Sequence, residues 1–230
     1  MTLKTLVKRY TVLFYSISQF TGWALLLVGI IMNIIESKYH VLRDPSVFEL
    51  VNIIQGLQYF ELLFSLLRFN ESRMLPSLVQ VTARNLVVWF VFPLELRSKS
   101  PGIQITVLIC WCLVDMIRFA TNINEGMKLG SNVMRIIRYN AFIILTPVGF
   151  TAEFFTARDA QRTLESENKD PDLRFYGVSL PINAIVFLKI VQTAVFPCLI
   201  FAYRHLWKMR RQFYEQRRIE KEKLKRMKRE

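Results

Sequence analysis

The sequence is poor in cysteine and glycine, with 3 and 8 residues of each in a chain of 230. Cys110, Cys112 and Cys198 all fall in apolar stretches, and an odd number of cysteines in such positions is not typical of a disulfide framework. Cys110 and Cys112 would point in different directions on a helix, so they do not predict a metal site. No Gly-x-x-x-Gly pair lies within an apolar stretch, and helix dimerisation through that motif is therefore not indicated.

Signals of several other protein classes are missing. No small-residue cleavage site follows the first apolar stretch, so we expect that stretch to be retained rather than removed as a signal peptide. The two halves of the chain show no internal repeat and no matching pair of broken helices, which are marks of many transporters. No nucleic-acid recognition motif accompanies the positive charge, and no cofactor-binding motif stands out. The sequence predicts neither nucleic acid nor a cofactor or metal as a ligand.

Long apolar runs dominate what is present, since hydrophobic residues make up 52% of the chain. A run of about 20 apolar residues crosses a bilayer as a helix. Runs of roughly that length occupy residues 10–35, 47–68, 74–95, 102–120, 135–157 and 182–206. We therefore predict an all-α polytopic membrane protein in which residues 1–206 form a bundle of six transmembrane helices.

Positive charge is concentrated at the C-terminus. The net charge is +13, and residues 207–230 hold 11 Lys and Arg against 4 Glu. An even number of spans places both termini on one side with the loops at Arg73 and Lys128, whereas the loop at 158–180 lies opposite and has more acids than bases. Because internal loops carry the excess of Lys and Arg, we predict both termini in the cytosol or the mitochondrial matrix. We expect 207–230 to be a basic helical tail that binds anionic membrane lipids.

Ionisable side chains also occur inside the predicted spans. Such residues are costly in lipid, so they usually face the bundle interior or a water-filled cavity. They are Glu61, Arg84, Asp115, Arg118, Arg138, Glu153 and Lys189. Lys189, Arg118 and Arg138 lie near span ends, from which long side chains reach the interface. Two interpretations are open for the others: ion pairs that fix helix packing, or a polar cavity that accepts a charged or polar ligand.

Four short motifs follow one another through the predicted spans. The second motif contains a Glu, a Gln-Val pair, an Arg and a Trp, namely Glu61, Gln80, Val81, Arg84 and Trp89. In order, the motifs are "QFTGW" (19–23), "ELLFSLLRFNESRMLPSLVQVTARNLVVW" (61–89), "WCLVDMIRF" (111–119) and "RYNAFIILTPVGFTAE" (138–153). Together they resemble the motifs of the (3R)-3-hydroxyacyl-CoA dehydratases of very-long-chain fatty acid elongation, the protein tyrosine phosphatase-like membrane proteins.

The resemblance implies removal of water from a 3-hydroxyacyl-CoA to give the trans-2-enoyl-CoA. One group takes the α-proton and another protonates the departing β-hydroxyl; in the family these are a Tyr before a Pro and a Glu seven residues later. Glu153 matches the Glu, and Thr146 stands at the position of the Tyr. Seven residues make two helical turns, so both side chains would face one side, about 10 Å apart along the axis.

The resemblance also implies substrate contacts and partners. Positions matched to the family motifs are predicted to bind substrate: Gln80, Arg84, Asp115, Arg118, Arg138, Tyr139 and Glu61. An active protein would use long-chain acyl-CoA and work with elongase subunits in the endoplasmic reticulum membrane.

Departures from the family pattern support a second interpretation. Besides Thr146, Phe64 replaces a His, Arg68 replaces a Gly and Asp115 replaces a Glu. Loss of half of an acid–base pair lowers a rate by about 10²–10⁴. The alternative is a catalytically inactive family member that serves as an accessory subunit of a larger membrane complex, for example in the mitochondrial inner membrane.

Overall fold

The computed structural model describes residues 3–36, 41–67, 69, 74–95, 101–129, 132–167, 172–175 and 178–227. Arg68, Arg73 and the last three residues of the basic tail lie outside the described residues.

Helices make up most of the described chain. The α-helices are α1 (Leu3–Ile35), α2 (Pro45–Leu57), α3 (Tyr59–Leu66), α4 (Met74–Leu86), α5 (Phe92–Glu95), α6 (Pro101–Gly126), α7 (Val133–Ser166) and α8 (Ala184–Met227). A 3-10 turn (Val41–Arg43) precedes α2, and a π-helical segment (Val87–Val91) joins α4 to α5. Within the described residues, 6 helical stretches are long and apolar enough to cross a membrane. The predicted all-α polytopic membrane fold is therefore confirmed.

Two of the spans are built from consecutive helices. α2 and α3 form the span Pro45–Leu66, with a turn at Gln58 between them. α4, the π-helical segment and α5 form the span Ser77–Leu94. Irregular backbone at membrane depth is tolerated where protein covers it. Gln58 meets that condition, because it is fully buried and its N–H donates to the carbonyl of Gln55 over 3.1 Å.

α6 is the central helix of the bundle. Half of its apolar window is buried, a larger share than in any other described span. It packs against α1 on one side and α7 on the other. Trp23, Leu26 and Ile30 of α1 recur at helical spacing and are fully buried, whereas Leu25 and Val28 between them are more than half exposed. This pattern gives α1 one face for the core and one for lipid.

Contacts between helix ends fix the helix directions. Arg9 donates from Nε to the carbonyl oxygen of Gly126 over 2.6 Å, which joins the start of α1 to the end of α6. The ring of Tyr139 lies 4.9 Å from that of Phe213, so the C-terminal part of α8 meets the start of α7. We call the region that contains these two contacts the basic end of the bundle. It includes the starts of α1 and α7, the end of α6 and the part of α8 around Phe213.

Two features of the C-terminal half differ from the sequence prediction. α7 continues past 157 to Ser166, because residues 158–166 are mostly good helix formers. The segment predicted as a loop holds two antiparallel strands, β1 (Asp172–Phe175) and β2 (Val178–Asn183). α8 runs unbroken from Ala184 to Met227, so the described part of the segment predicted as a helical tail continues the last helix. The binding of the tail to anionic lipid and the membrane side of the termini stay predictions.

Candidate active site

A cavity of about 220 Å³ lies between α4, α6, α7 and α8. Its lining residues recur every three or four positions, so each helix contributes one face. They are Val79, Gln80, Ala83 and Arg84 of α4; Cys110, Trp111, Val114, Ile117 and Arg118 of α6; Arg138, Ala141, Phe142, Leu145, Thr146, Gly149, Phe150 and Glu153 of α7; and Cys198, Phe201, Ala202, His205 and Leu206 of α8. Apolar walls that carry a few polar groups are typical of a small-molecule site.

Glu153 and Thr146 lie on the same cavity-facing side of α7. The indole Nε1–H of Trp111 donates to Oε1 of Glu153 over 2.7 Å. α6 thus fixes one carboxylate oxygen, while Oε2 has no hydrogen-bond partner among the described residues. By the rise of an α-helix, Thr146 lies about 10 Å from Glu153 along α7. α7 continues through Pro147, which has no N–H and therefore removes one backbone hydrogen bond beside the cavity.

Four charged side chains form a buried cluster next to the cavity. Arg84 pairs with Asp115. Arg118 lies 3.0 Å from an oxygen of Asp115 and 3.0 Å from an oxygen of Glu61. The side-chain amide of Gln58 also donates to Asp115, over 3.2 Å. Two positive and two negative groups balance one another, which is the condition under which buried charges are tolerated in a membrane protein.

Trp111 connects this charged cluster to Glu153. The guanidinium carbon of Arg84 lies 5.2 Å from the centre of the Trp111 ring, within the range of a cation–π contact. The same indole donates its N–H to Glu153. Trp111 is 2% exposed, so its ring is fixed by packing and holds both groups in a defined orientation.

Arg138 differs from the other cavity arginines in having no carboxylate within ion-pair distance among the described residues. It lines the cavity in the second turn of α7, close to the basic end. An arginine without an acidic partner on a cavity wall is available to an anionic ligand, and its planar guanidinium suits carboxylate or phosphate oxygens.

The structure brings most of the predicted site residues to the cavity, but not all of them. Glu61 and Asp115 contact the lining arginines and do not line the cavity themselves. Tyr139 turns away from it and packs on Phe213. Sequence reasoning missed Trp111 as a site residue, although it begins one of the quoted motifs. Its partner Glu153 is 42 residues away, and spacing along the chain gives no sign of that contact.

Cys110, Cys198 and His205 were also missed as cavity residues. The three cysteines are free thiols. Within the part of the chain that the structure describes, no three His, Cys, Asp or Glu side chains come together as a metal-binding group.

Comparisons with known proteins agree on one group of enzymes. The profile of the protein tyrosine phosphatase-like protein family, PTPLA, matches residues 55–216. The chain is similar to very-long-chain (3R)-3-hydroxyacyl-CoA dehydratase 3 of Homo sapiens, with 23% identity over 94% of this chain and 60% of the human protein. It is 30% identical to the probable very-long-chain (3R)-3-hydroxyacyl-CoA dehydratase of Schizosaccharomyces pombe, over 66% of this chain and 73% of that protein.

A third relative is very-long-chain (3R)-3-hydroxyacyl-CoA dehydratase 1 of Mus musculus, 22% identical over 86% of this chain and 70% of the mouse protein. The chain thus spans only 60% of the length of the human relative. No solved structure matches it significantly.

Proposed function

The chain belongs to the protein tyrosine phosphatase-like (PTPLA) family, and from that premise we propose that it binds a 3-hydroxyacyl-CoA in the cavity and dehydrates it to the trans-2-enoyl-CoA. The observation that carries the proposal is the carboxylate of Glu153 on the cavity wall, with one oxygen held by Trp111 and the other without a partner among the described residues. The names of the relatives, which are dehydratases of this substrate class, support it.

Glu153 serves as both base and acid in this proposal. Its Oε2 takes the α-proton, the electrons of that C–H bond form the double bond between Cα and Cβ, and the Cβ–O bond breaks. The departing hydroxide then recovers a proton from the protonated Glu153, which releases water and restores the carboxylate. One group performs both transfers because the aliphatic hydroxyl of Thr146 is a much weaker acid than the phenol of a tyrosine.

The arginines supply positive charge for the CoA portion of the substrate. We assign Arg138 to a phosphate, because it is the cavity arginine without an acidic partner among the described residues. Arg84 and Arg118 are held by Asp115 and Glu61 and face the cavity beside Gln80, where they polarise the thioester carbonyl. Charge-assisted contacts of this kind are worth more in a water-poor cavity than in solvent.

The proposal extends to location and partners. As a fatty acid elongation enzyme, the protein would work in the endoplasmic reticulum membrane beside elongase subunits, with membrane lipids around its apolar surface. Thr146 favours a second candidate: an inactive family member that keeps the ligand cavity and serves as an accessory subunit of a membrane complex, for example in the mitochondrial inner membrane.

The test compares the native protein with single variants in lipid nanodiscs. Each is given a long-chain 3-hydroxyacyl-CoA, and enoyl-CoA formation is followed by mass spectrometry. We expect slow native turnover that disappears in Glu153→Ala. Thr146→Tyr should turn over about 10²–10⁴ times faster, because it restores the second proton-transfer group. Thr151→Tyr is the matched control, since Thr151 is exposed on the same helix away from the cavity.

The outcomes separate the two candidates. Native turnover that survives in Glu153→Ala would overturn the assignment of Glu153. An inactive native protein together with an active Thr146→Tyr variant would favour the accessory subunit. If neither protein binds or converts the substrate, the ligand cavity itself is wrongly assigned.

A further inference from the structure

One side of the cavity is open between α4 and α8. The lining residues Val79 and Phe201 are 39% and 49% exposed, and Gln80 and Ala83 are exposed as well. α4 packs against α2 and α3, and α8 packs against α7, but α4 and α8 are not a closely packed pair in the described chain. A gap therefore leads from the cavity to the outer surface of the bundle.

This gap opens towards lipid. Its residues lie within the membrane spans Ser77–Leu94 and Ala184–Ile219. The neighbouring outward-facing side chains are apolar, such as Leu78 and Ile200, which are 38% and 59% exposed. A molecule that leaves the cavity through the gap therefore enters the hydrocarbon region of the bilayer rather than water.

The cavity is too small for a very-long acyl chain. An apolar protein cavity of about 150 Å³ holds one benzene molecule. By the same measure, a cavity of about 220 Å³ holds on the order of ten carbon atoms. The relatives are named for very-long-chain substrates, and even a stearoyl chain has more carbons than this cavity holds. The end of such a chain has to lie outside the cavity.

We propose that the gap between α4 and α8 is a lateral portal for the acyl chain. The inference rests on the proposed function and deepens it: the 3-hydroxyacyl head and the first carbons fill the cavity, and the rest of the chain passes Ala83 and Phe201 into the lipid. The cavity then recognises the head of the substrate and sets no upper limit on chain length.

The portal predicts how affinity depends on chain length. Carbons inside the cavity gain contacts with its apolar walls, so lengthening a short chain tightens binding. Carbons beyond the portal lie in hydrocarbon both before and after binding, so they contribute little further free energy. A closed cavity would instead reject chains longer than it can hold.

The first measurement uses the native protein in nanodiscs of phosphatidylcholine, with 3-hydroxyacyl-CoAs of increasing chain length and concentrations expressed per lipid. Because the thioester and part of the CoA share this volume, we expect the dissociation constant to stop falling at or before about the decanoyl chain and then to stay within about twofold up to the stearoyl chain. Binding of the hexanoyl but not the stearoyl substrate would overturn the portal and leave the proposed function intact. Binding of neither would overturn both.

The second measurement narrows the gap with Ala83→Trp. Leu78→Trp is the matched control, because it adds the same ring to α4 on a lipid-facing residue that does not line the cavity. We compare the ratio of stearoyl to hexanoyl affinity. We expect the ratio to fall at least tenfold in Ala83→Trp and to stay at the native value in Leu78→Trp. An unchanged ratio in a folded Ala83→Trp variant would contradict the portal.

Discussion

The replacement of Asp115 by Ala tests whether the charged cluster beside the cavity stabilises the bundle. Asp115 is fully buried and contacts two guanidinium groups, those of Arg84 and Arg118. With Asp115 and Glu61 ionised, the cluster has two positive and two negative charges and is neutral; without Asp115 it carries a charge of +1. The variant therefore leaves a buried positive charge without compensation.

The expected loss of stability is about 3–5 kcal/mol, the usual cost of removing one partner of a buried ion pair. A second route gives a similar value, because each hydrogen bond to a charged group is worth about 1.5–3 kcal/mol and Asp115 accepts two, from Arg84 and from the side-chain amide of Gln58. The side chains of Arg84 and Arg118 are 11% and 15% exposed, so residual solvation places the loss in the lower half of this range.

The assay is equilibrium unfolding in mixed detergent micelles, read as the change in the free energy of unfolding. Glu125→Ala is the matched control. Glu125 pairs with Arg135 over 2.9 Å, but both side chains are 44% exposed. Exposed pairs contribute about 0–1 kcal/mol, so this control should change little. Combining Asp115→Ala with Arg84→Met makes the remaining Arg118–Glu61 pair neutral again and should recover at least 1 kcal/mol as a measured coupling energy.

A loss in Asp115→Ala no larger than that in Glu125→Ala would refute this reasoning. So would strict additivity of Asp115→Ala and Arg84→Met, since it would mean that the two side chains do not interact energetically.

Two further predictions concern single hydrogen-bonding groups. Trp111→Phe should lower the free energy of unfolding by about 1–3 kcal/mol through loss of the N–H bond to Glu153, and by more than Trp23→Phe. The indole N–H of Trp23 has no partner among the described residues. If both Phe variants lowered the free energy of unfolding equally, the hydrogen bond between Trp111 and Glu153 would not contribute to stability. Asp44 caps α2, and Asp44→Ala should cost about 1 kcal/mol, whereas Asp44→Asn should retain most of the cap. Hydrogen bonds from Asn33 and from the backbone lower the pKa of Asp44. The difference in the free energy of unfolding between the native protein and Asp44→Ala should therefore be fully present above about pH 4 and decrease at lower pH. A difference in the free energy of unfolding that increases at acidic pH would contradict the role of Asp44 as a charged cap.

The spans could be predicted from the sequence because each depends on a local property. A run such as 102–120 is long enough and apolar enough to cross lipid whatever it contacts, and α6 covers it. The match of the PTPLA profile confirms the family resemblance drawn from the four motifs. Order and spacing along the chain were sufficient for both conclusions.

What the sequence could not supply were contacts between distant residues. The sequence allows both interpretations of the intramembrane charges, and the structure contains features of each. Arg84 pairs with Asp115, Arg118 pairs with Glu61, and both arginines also line the cavity. The choice of these partners depends on where α3, α4 and α6 lie relative to one another. Spacing along one helix does not contain that information, and for the same reason it does not predict that Tyr139 packs against Phe213.

The hydrophobic periodicity of the sequence also does not predict local irregularities of the backbone. The turn at Gln58 and the π-helical segment Val87–Val91 interrupt two spans, and Gly56 and Pro93 each lie two residues from the interruption. Both occur where tertiary contacts support them, since Gln58 is fully buried and Val87, Val88 and Val91 are buried in the core. Hydropathy averages over such interruptions.

α8 connects the cavity to the basic segment of the chain through one continuous helix. Its 44 residues span up to about 66 Å, roughly twice the hydrocarbon thickness of a bilayer, with Pro197 in the inner part. The inner part carries Cys198, Phe201 and His205 on the cavity wall, and the outer part carries the basic charge. No helix break separates the two parts, so the position of the outer part and that of the cavity-lining face are set together. The basic segment is thus joined through one continuous helix to the side chains that line the cavity.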